Sequence, residues 1–281
     1  MTKHDSARTR TEDMVVSADG TPIAFERTGN GPVVVLVAQA LSDRRDNRRL
    51  GELLAASHTV VNYDRRGRGA SGDAATWAIE REIEDLEALV DTCGGKAALF
   101  GASSGAVLAL DAAAALPGKV SHVVAYEPPI IVDDRRLPVP RELADRLAGL
   151  VRADRASEAV REFHRVALGA PPFMVMAMRL MVPIWRTMVA MAPTTVYDAR
   201  LCAGLQDGVP LDPARWDALD APALVLVGGK GEPFMQSGTE ALASAIDARR
   251  ETIPGAHHGT PMMKPALLTQ ALHSFLTVSK S

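Results

Sequence analysis

The chain has 281 residues, of which 47% are hydrophobic and 23% are charged, and its formal net charge is −3. This balance is typical of a folded globular protein and gives no indication of a nucleic-acid partner or an anionic membrane partner. The two cysteines, Cys93 and Cys202, are too few for a disulfide framework and have no metal-ligand spacing, so we expect no metal site.

Two segments bear on targeting and on membranes. The first residues, MTKHDSARTRTED, lack the apolar core of a signal peptide. The most hydrophobic window, residues 173–192, carries Arg179, Pro183 and Arg186 near its middle. Two central arginines would destabilise a membrane helix by several kcal/mol. We therefore expect a cytoplasmic protein that does not enter a membrane.

Short apolar runs alternate with helix-like segments along most of the chain. This alternation predicts the α/β class, with a mostly parallel central sheet that helices flank on both faces. The segment 13–29 predicts a hairpin with its turn at Asp19-Gly20. Further strands are expected at 32–38, 58–64, 97–101, 120–127, 221–229 and 249–255, and the clearest helices at 78–94 and 103–116.

Two segments carry a local excess of basic residues, namely RRDNRR (44–49) and DRRGRG (64–69). Acidic residues lie close to both of them in the sequence, so the charges can be balanced locally. A run of charge is most often a solvated surface. We therefore interpret both segments as a solvated face or a turn.

The interval 128–219 interrupts the alternation of strands and helices. It contains helix-like segments separated by proline pairs, and no convincing strand. A helical insertion between two strands of the sheet explains this pattern. We therefore predict a core formed by residues 1–127 and 220–281, with residues 128–219 inserted as a helical cap.

One segment of this insertion, residues 171–193, concentrates methionines beside Phe173 and Trp185. Methionine adapts to irregular apolar shapes, which suits a cap over a pocket for a hydrophobic ligand. The same residues could form the cap's own core, which is the more common role of any single methionine. The residues that we expect around a substrate are Leu41, Met178, Met181, Trp185 and Met188.

The segment ALFGASSGAVLAL contains the motif G-x-S-x-G at residues 101–105, directly between a predicted strand and a predicted helix. In this context the motif predicts a nucleophile elbow, a tight and strained turn that raises the hydroxyl of Ser103 above the sheet. The N-terminus of the following helix then offers backbone N–H groups to an oxyanion. A Gly/Ser-rich helix cap without chemistry is the alternative.

Together with this elbow, two further segments resemble those of the α/β-hydrolase superfamily. They are the turn YDRRGRGASG at 63–72 and the segment PGAHHGTPMMKP at 254–265, which is similar to the family's histidine loop. The resemblance covers nearly the whole chain and implies an α/β-hydrolase fold with Ser103 as nucleophile and a cap at the insertion. It also implies that His258, seven residues before Pro265, is the base, with His257 as the alternative.

The acid of the expected triad departs from the commonest family pattern. Many relatives carry an aspartate after the seventh strand, where this sequence has Gly231 followed by Glu232. In part of the superfamily the acid follows the sixth strand, where this sequence has Glu127. The order Ser103, Glu127, His258 matches the nucleophile–acid–base order of the fold. We therefore predict Glu127 as the acid and keep Glu232 as the alternative, while a backbone-capping role is the non-catalytic explanation of Glu127.

The segment expected to hold the oxyanion also departs from the family, whose usual His-Gly pair is replaced here by Ala-Gln-Ala-Leu at residues 38–41, which we call the oxyanion loop. The donors in such a hole are backbone N–H groups, so a change of side chain does not abolish it. We predict donors at Ser104 and Ala40, with Gln39 as the alternative to Ala40.

A Ser-Glu-His triad with an unusual oxyanion loop is similar to zearalenone-type lactonases, which open a hydrophobic macrolactone. The resemblance implies a serine esterase or lactonase that needs no cofactor and acts on a small hydrophobic ester or lactone. Hydrolysis of a carbon–carbon bond and perhydrolysis use the same triad and stay open. A non-catalytic ligand-binding protein with this fold is an alternative of another class, and an interaction protein that forms a homodimer through the Met-rich face is a third.

Overall fold

The computed structural model describes residues 10–277, and an eight-stranded sheet forms its centre. The segment in which we expect no signal peptide therefore lies mostly outside the described residues. The strands are β1 (Thr11–Val16), β2 (Pro22–Thr28), β3 (Val33–Val37), β4 (Thr59–Tyr63), β5 (Ala97–Ala102), β6 (Val120–Tyr126), β7 (Ala223–Gly228) and β8 (Arg249–Ile253).

These strands lie in the order β1-β2-β4-β3-β5-β6-β7-β8. Strand β2 pairs antiparallel with β1 and with β4, and all neighbours from β4 to β8 pair parallel. The predicted mostly parallel sheet with its antiparallel hairpin is thus confirmed. Strands β5, β6 and β7 are parallel, so their carboxyl ends meet at one edge of the sheet. The predicted catalytic residues are expected at this edge.

Helices cover both faces of the sheet, as predicted. In chain order they are α1 (Arg44–Leu54), α2 (Ile79–Thr92), α3 (Ser104–Ala115), α4 (Leu143–Arg152), α5 (Ala156–Val166), α6 (Pro172–Leu180), α7 (Val182–Ala190), α8 (Thr194–Leu201), α9 (Pro233–Ala245), α10 (Thr260–Met263) and α11 (Thr269–Leu276).

The apolar run of β3 shows why both faces are covered. Val35 and Val37 pack in one buried cluster with residues of α2 and α3, whereas Val34 and Leu36 pack in a second cluster with residues of α1 and α11. Successive side chains of a strand point to opposite faces, so a strand that is apolar at every position needs a cover on both.

Helices α4 to α8 all lie between β6 and β7 and share a buried apolar cluster, which Leu41 of the core joins. The helical insertion is therefore present, while the division of the chain at residues 128 and 219 stays a prediction. Within residues 10–277 no single helix is long and apolar enough to cross a membrane. Helices α6 and α7 meet these criteria only as a pair, and they are bent by 105°.

The interpretation of RRDNRR as a turn is wrong, because α1 begins there. The carboxylate of Asp43 accepts a hydrogen bond from the backbone N–H of Arg45 (2.8 Å), and Asp46 accepts one from the backbone N–H of Asp43 (3.3 Å). This reciprocal capping box starts the helix. One face of the helix is nevertheless solvated, since Arg45 and Arg49 are exposed.

The segment DRRGRG, residues 64–69, forms a turn, which is one of the two expectations, but the expectation that it is solvated is wrong. Arg65, Arg66 and Arg68 are at most 1% exposed. Each guanidinium pairs with a carboxylate that is distant in the sequence, and these carboxylates belong to Glu82, Asp85 and Asp198. We call residues 64–69 the arginine turn. Its charges are balanced by carboxylates that tertiary packing brings close. The acidic residues nearby in the sequence do not indicate these partners.

Candidate active site

The backbone at Ser103 takes the strained strand-to-helix turn that the G-x-S-x-G motif predicts. Ser103 lies between the end of β5 and the start of α3 with φ 53° and ψ −126°. Such a positive φ is uncommon for a residue with a side chain. A Cβ atom at Gly105 would lie 2.5 Å from the carbonyl oxygen of Val37, and one at Gly101 would collide with the carbonyl group of Gly105. Only glycine therefore permits this close packing around the serine.

Glu127 and His258 are joined by a hydrogen bond. Glu127 directly follows β6 and is wholly buried, and its Oε2 lies 2.8 Å from Nδ1 of His258. Its Oε1 accepts a hydrogen bond from the backbone N–H of Gly228 (2.8 Å). Because an ionised carboxylate only accepts hydrogen bonds, Nδ1 of His258 carries the hydrogen. In the neutral ring Nε2 then has a free lone pair, which is the tautomer that a general base requires.

The two alternative residues are not joined in this way. Glu232 is exposed and precedes α9 at the surface. Nδ1 of His257 accepts a hydrogen bond from the backbone N–H of Gly259 (3.2 Å), so this ring bonds within its own turn. Within residues 10–277, no hydrogen bond joins the hydroxyl of Ser103 to the ring of His258. In ligand-free enzymes such a bond is often long or poorly aligned.

Ala40, Ser103 and Ser104 line one cleft of about 20 Å³, which is room for about one water molecule. Ser104 is the first residue of α3, so its N–H group has no acceptor within the helix. Ala40 follows β3 in the oxyanion loop and lines the same cleft. The side-chain amide of Gln39 donates to Sδ of Met262 (3.4 Å), towards the histidine loop.

The remaining walls of the cleft come from the insertion, but from other helices than we expect. Leu41, Trp185 and Met188 belong to the insertion's own buried cluster, and Met178 packs against it. Met181 is 53% exposed. Helices α5 and α8 and the residue after each of them line the cleft instead, with Phe163, Ala167, Asp198, Ala199 and Cys202. These residues form no motif, and apart from Asp198 their only signal in the sequence is that they are apolar positions of helical segments.

Two other nucleophilic side chains reach the cleft, and both are poorly suited to attack. The hydroxyl of Ser104 donates to Oδ1 of Asp198 (2.8 Å). Burial raises the pKa of Asp198, but Arg68 and Arg65 lower it further, so that it lies below its usual value. Asp198 is therefore a weak base. Burial raises the pKa of Cys202 to about 12, which keeps its thiol protonated. Ser103, at the strained turn, stays the predicted nucleophile.

Known hydrolases are similar to this chain. The model of the alpha/beta hydrolase family matches residues 40–271. An alpha/beta hydrolase from Sphaerobacter thermophilus DSM 20745 is 42% identical, with a TM-score of 0.86, over 94% of this chain and 100% of that one. For a thermophilic esterase from Thermogutta terrifontis the values are 26% identity, TM-score 0.71, and 95% and 98% of the two chains. Lipase LipV of Mycobacterium tuberculosis is 35% identical over 120 residues, which are 42% of this chain and 44% of the lipase. The chain thus spans less than half the length of the curated relatives that it matches.

Proposed function

The chain belongs to the alpha/beta hydrolase family, and on this premise we propose that it is a serine hydrolase that cleaves an ester or lactone of a small hydrophobic molecule. The hydrogen bond between Oε2 of Glu127 and Nδ1 of His258 is the observation that carries this proposal. A buried carboxylate bonded to a partly exposed histidine, beside an elbow serine, is an arrangement that acyl transfer requires. The similarity to an esterase and to a lipase supports an oxygen ester as the target.

The proposed reaction follows from these positions. Oγ of Ser103 attacks the carbonyl carbon while Nε2 of His258 takes the hydroxyl proton, and the Glu127 carboxylate stabilises the imidazolium that forms. The N–H groups of Ser104 and Ala40 hold the oxyanion. His258 then gives its proton to the leaving alcohol, and a water molecule, activated by the same ring, releases the acyl group from Ser103. No step calls for a cofactor.

The substrate is proposed to be hydrophobic because most of the residues that the insertion contributes to the cleft walls are apolar. The Ser-Glu-His arrangement is similar to that of zearalenone-type lactonases, which makes a macrolactone the natural large test substrate. A cleft of about 20 Å³ does not hold such a ring, so this substrate requires part of the insertion to move. Esters of short acids need less movement.

Covalent labelling tests the proposal. An organophosphonate probe should label the protein once per chain, and Ser103→Ala should abolish the label. Ser237→Ala is the control, because Ser237 lies on α9 and hydrogen-bonds only within that helix. Turnover of short esters, long esters and macrolactones then defines the substrate.

Two results would favour the alternatives. A protein that binds apolar esters but is not labelled at Ser103 is a non-catalytic binder. Labelling of Ser103 without cleavage of any ester or lactone favours carbon–carbon bond hydrolysis or perhydrolysis, which use the same residues.

A further inference from the structure

A second carboxylate, Asp198 of α8, lies in the wall of the cleft and is 1% exposed. It accepts three hydrogen bonds from side chains of the core. Its Oδ1 accepts from the hydroxyl of Ser104 (2.8 Å) and from Nη1 of Arg65 (2.8 Å). Its Oδ2 accepts from Nη2 of Arg68 (2.7 Å). One residue of the insertion is therefore bonded to the start of α3 and to the arginine turn.

The same two arginines bind the oxyanion loop and the residue after it. Nη1 of Arg68 donates to the carbonyl oxygens of Gln39 (2.5 Å) and Ser42 (3.2 Å). Nη1 of Arg65 donates to the carbonyl oxygen of Ala38 (3.2 Å). Carbonyl groups on both sides of Ala40 are thus fixed by side chains that Asp198 holds. An oxyanion hole needs donors that are already held in position, and these hydrogen bonds give the loop such support.

The charges of this cluster balance only when α8 is in place. Arg65 also forms two hydrogen bonds with Glu82 (2.6 and 2.7 Å), so two guanidinium groups face two carboxylates with almost no exposure to solvent. Burial and the nearby Arg65 lower the pKa of Arg68, and Asp198 opposes this shift. A buried cation that loses its carboxylate is strongly unfavourable. Arg68 therefore keeps its orientation towards the oxyanion loop only while Asp198 is present.

We propose that Asp198 is a positioning residue that holds both donors of the oxyanion hole, Ser104 through its hydroxyl and Ala40 through the arginines. The insertion thereby takes part in transition-state stabilisation, and α8 stays fixed to the core while other helices of the insertion admit the substrate. This inference rests on the proposed serine-hydrolase function and specifies how the same site is assembled.

The alternative is a purely structural role, in which Asp198 only attaches the insertion to the core. A control variant on the same helix distinguishes this role from the proposed one. Tyr197 precedes Asp198 on α8, and its hydroxyl donates to Oδ2 of Asp73 (2.8 Å). This bond also links α8 to the core, but it does not involve the oxyanion loop or Ser104. Tyr197→Phe therefore removes one attachment of α8 to the core, a single hydrogen bond at an exposed position, without touching the proposed oxyanion hole.

The test measures kcat, KM and the affinity for a trifluoromethyl ketone, which forms an oxyanion adduct with the serine. Asp198→Asn should lower kcat and the affinity for the ketone in parallel by about 10²-fold, the expected effect of a small misplacement of catalytic groups, with KM nearly unchanged. Ser104→Ala leaves the ion pairs and the backbone N–H in place and should lower both by about tenfold, as for one lost hydrogen bond. Tyr197→Phe should match the wild-type protein in all three.

Two outcomes would overturn the inference while leaving the proposed function intact. The first is that Tyr197→Phe loses as much activity as Asp198→Asn, and the second is that kcat falls without any change in affinity for the ketone. If Asp198→Asn does not fold, Ser104→Ala decides the question in the same way. A wild-type protein that neither turns over esters nor reacts with the phosphonate overturns the proposed function itself, and the inference with it.

Discussion

The carboxylate of Glu127 occupies the space that a side chain at Gly231 would take, since a Cβ atom at residue 231 would lie 2.7 Å from Oε1 of Glu127. Gly231 is the position at which many α/β hydrolases carry their aspartate. The buried carboxylate of Glu127 therefore fills the place that an aspartate side chain at 231 would take, although the two residues belong to different strand ends. We therefore propose that the acid can come from either position, but that the site has room for only one of the two side chains.

Exchange of the two positions tests this relationship. Gly231→Asp should lower kcat by about 10²-fold, because the added side chain displaces the Glu127 carboxylate from His258. In a Glu127→Ala background, however, Gly231→Asp should raise kcat above that of Glu127→Ala alone. Gly149→Asp is the control, because a Cβ atom at Gly149 meets nothing within 4 Å. The absence of any gain in the double variant would contradict a shared site for the acid.

A second prediction concerns the hydrogen-bonding character of Glu127. Both of its partners, the Nδ1–H of His258 and the N–H of Gly228, are donors, so Glu127→Gln places an amide NH₂ against one of them. If the amide faces His258, the ring must move its hydrogen to Nε2 and can no longer act as a base. We expect kcat to fall by about 10²–10⁴-fold with the fold retained.

The matched control for this variant is Glu232→Gln, because Glu232 is the nearby exposed carboxylate. We expect its kcat to stay close to that of the wild-type protein. The reverse result, a large loss in Glu232→Gln and a near-neutral Glu127→Gln, would assign the acid to Glu232. Circular dichroism of both variants separates a loss of chemistry from a loss of folding.

The strands could be predicted from the sequence because each apolar run is local and ends at a turn or a proline. The hydrogen bond between Glu127 and His258 agrees with the predicted pairing because chain order and the shared sheet edge are properties of the fold. The capping box at Asp43 and Asp46 that begins α1 is also a local signal, but the surrounding arginines favour a solvated segment over a helix start.

The arginine turn and the cleft walls could not be predicted from local pattern. Arg65 and Arg68 pair with carboxylates on α2 and α8, which lie outside the local sequence. A count of the charged residues near the arginine turn therefore does not indicate these partners. Similarly, the methionines are concentrated on α6 and α7, whereas residues of α5 and α8, and residues just after these helices, line the cleft. Long-range packing decides both features.

The Met-rich segment yields a third prediction, about stability. Met188 is 7% exposed and packs in the insertion's buried cluster, whereas Met181 is 53% exposed. Met188→Ala should lower the free energy of unfolding by about 2–5 kcal/mol because it leaves a cavity. Met181→Ala should change it by less than about 0.5 kcal/mol. Urea unfolding measures the free energy of unfolding of both variants. A loss in Met188→Ala as small as that in Met181→Ala would show that the cluster does not stabilise the insertion.

Buried His164 leads to a fourth prediction, about the dependence of stability on pH. His164 is 5% exposed on α5, and its Nδ1 donates to the carbonyl oxygen of Val160 (2.8 Å). Burial lowers its pKa below the ordinary 6.5. Between the folded and the unfolded pKa the unfolded chain binds more protons, so stability rises with pH through this window. The stability contributed by the neutral ring is complete above the unfolded value and is lost as the pH falls below it.

We therefore expect the Tm of the wild-type protein to fall between about pH 7.5 and about pH 5, and to fall less in His164→Gln, which has no titrating ring. Part of the slope should remain, because burial and the neighbouring His273 lower the pKa of His58 in the same direction. Carboxylates with a lowered pKa, such as Asp43, destabilise the fold only at more acid pH, so they do not obscure this window. Calorimetry of both proteins across this range measures the difference. An identical pH slope for the two proteins would show that the pKa of His164 is the same in the folded and the unfolded chain.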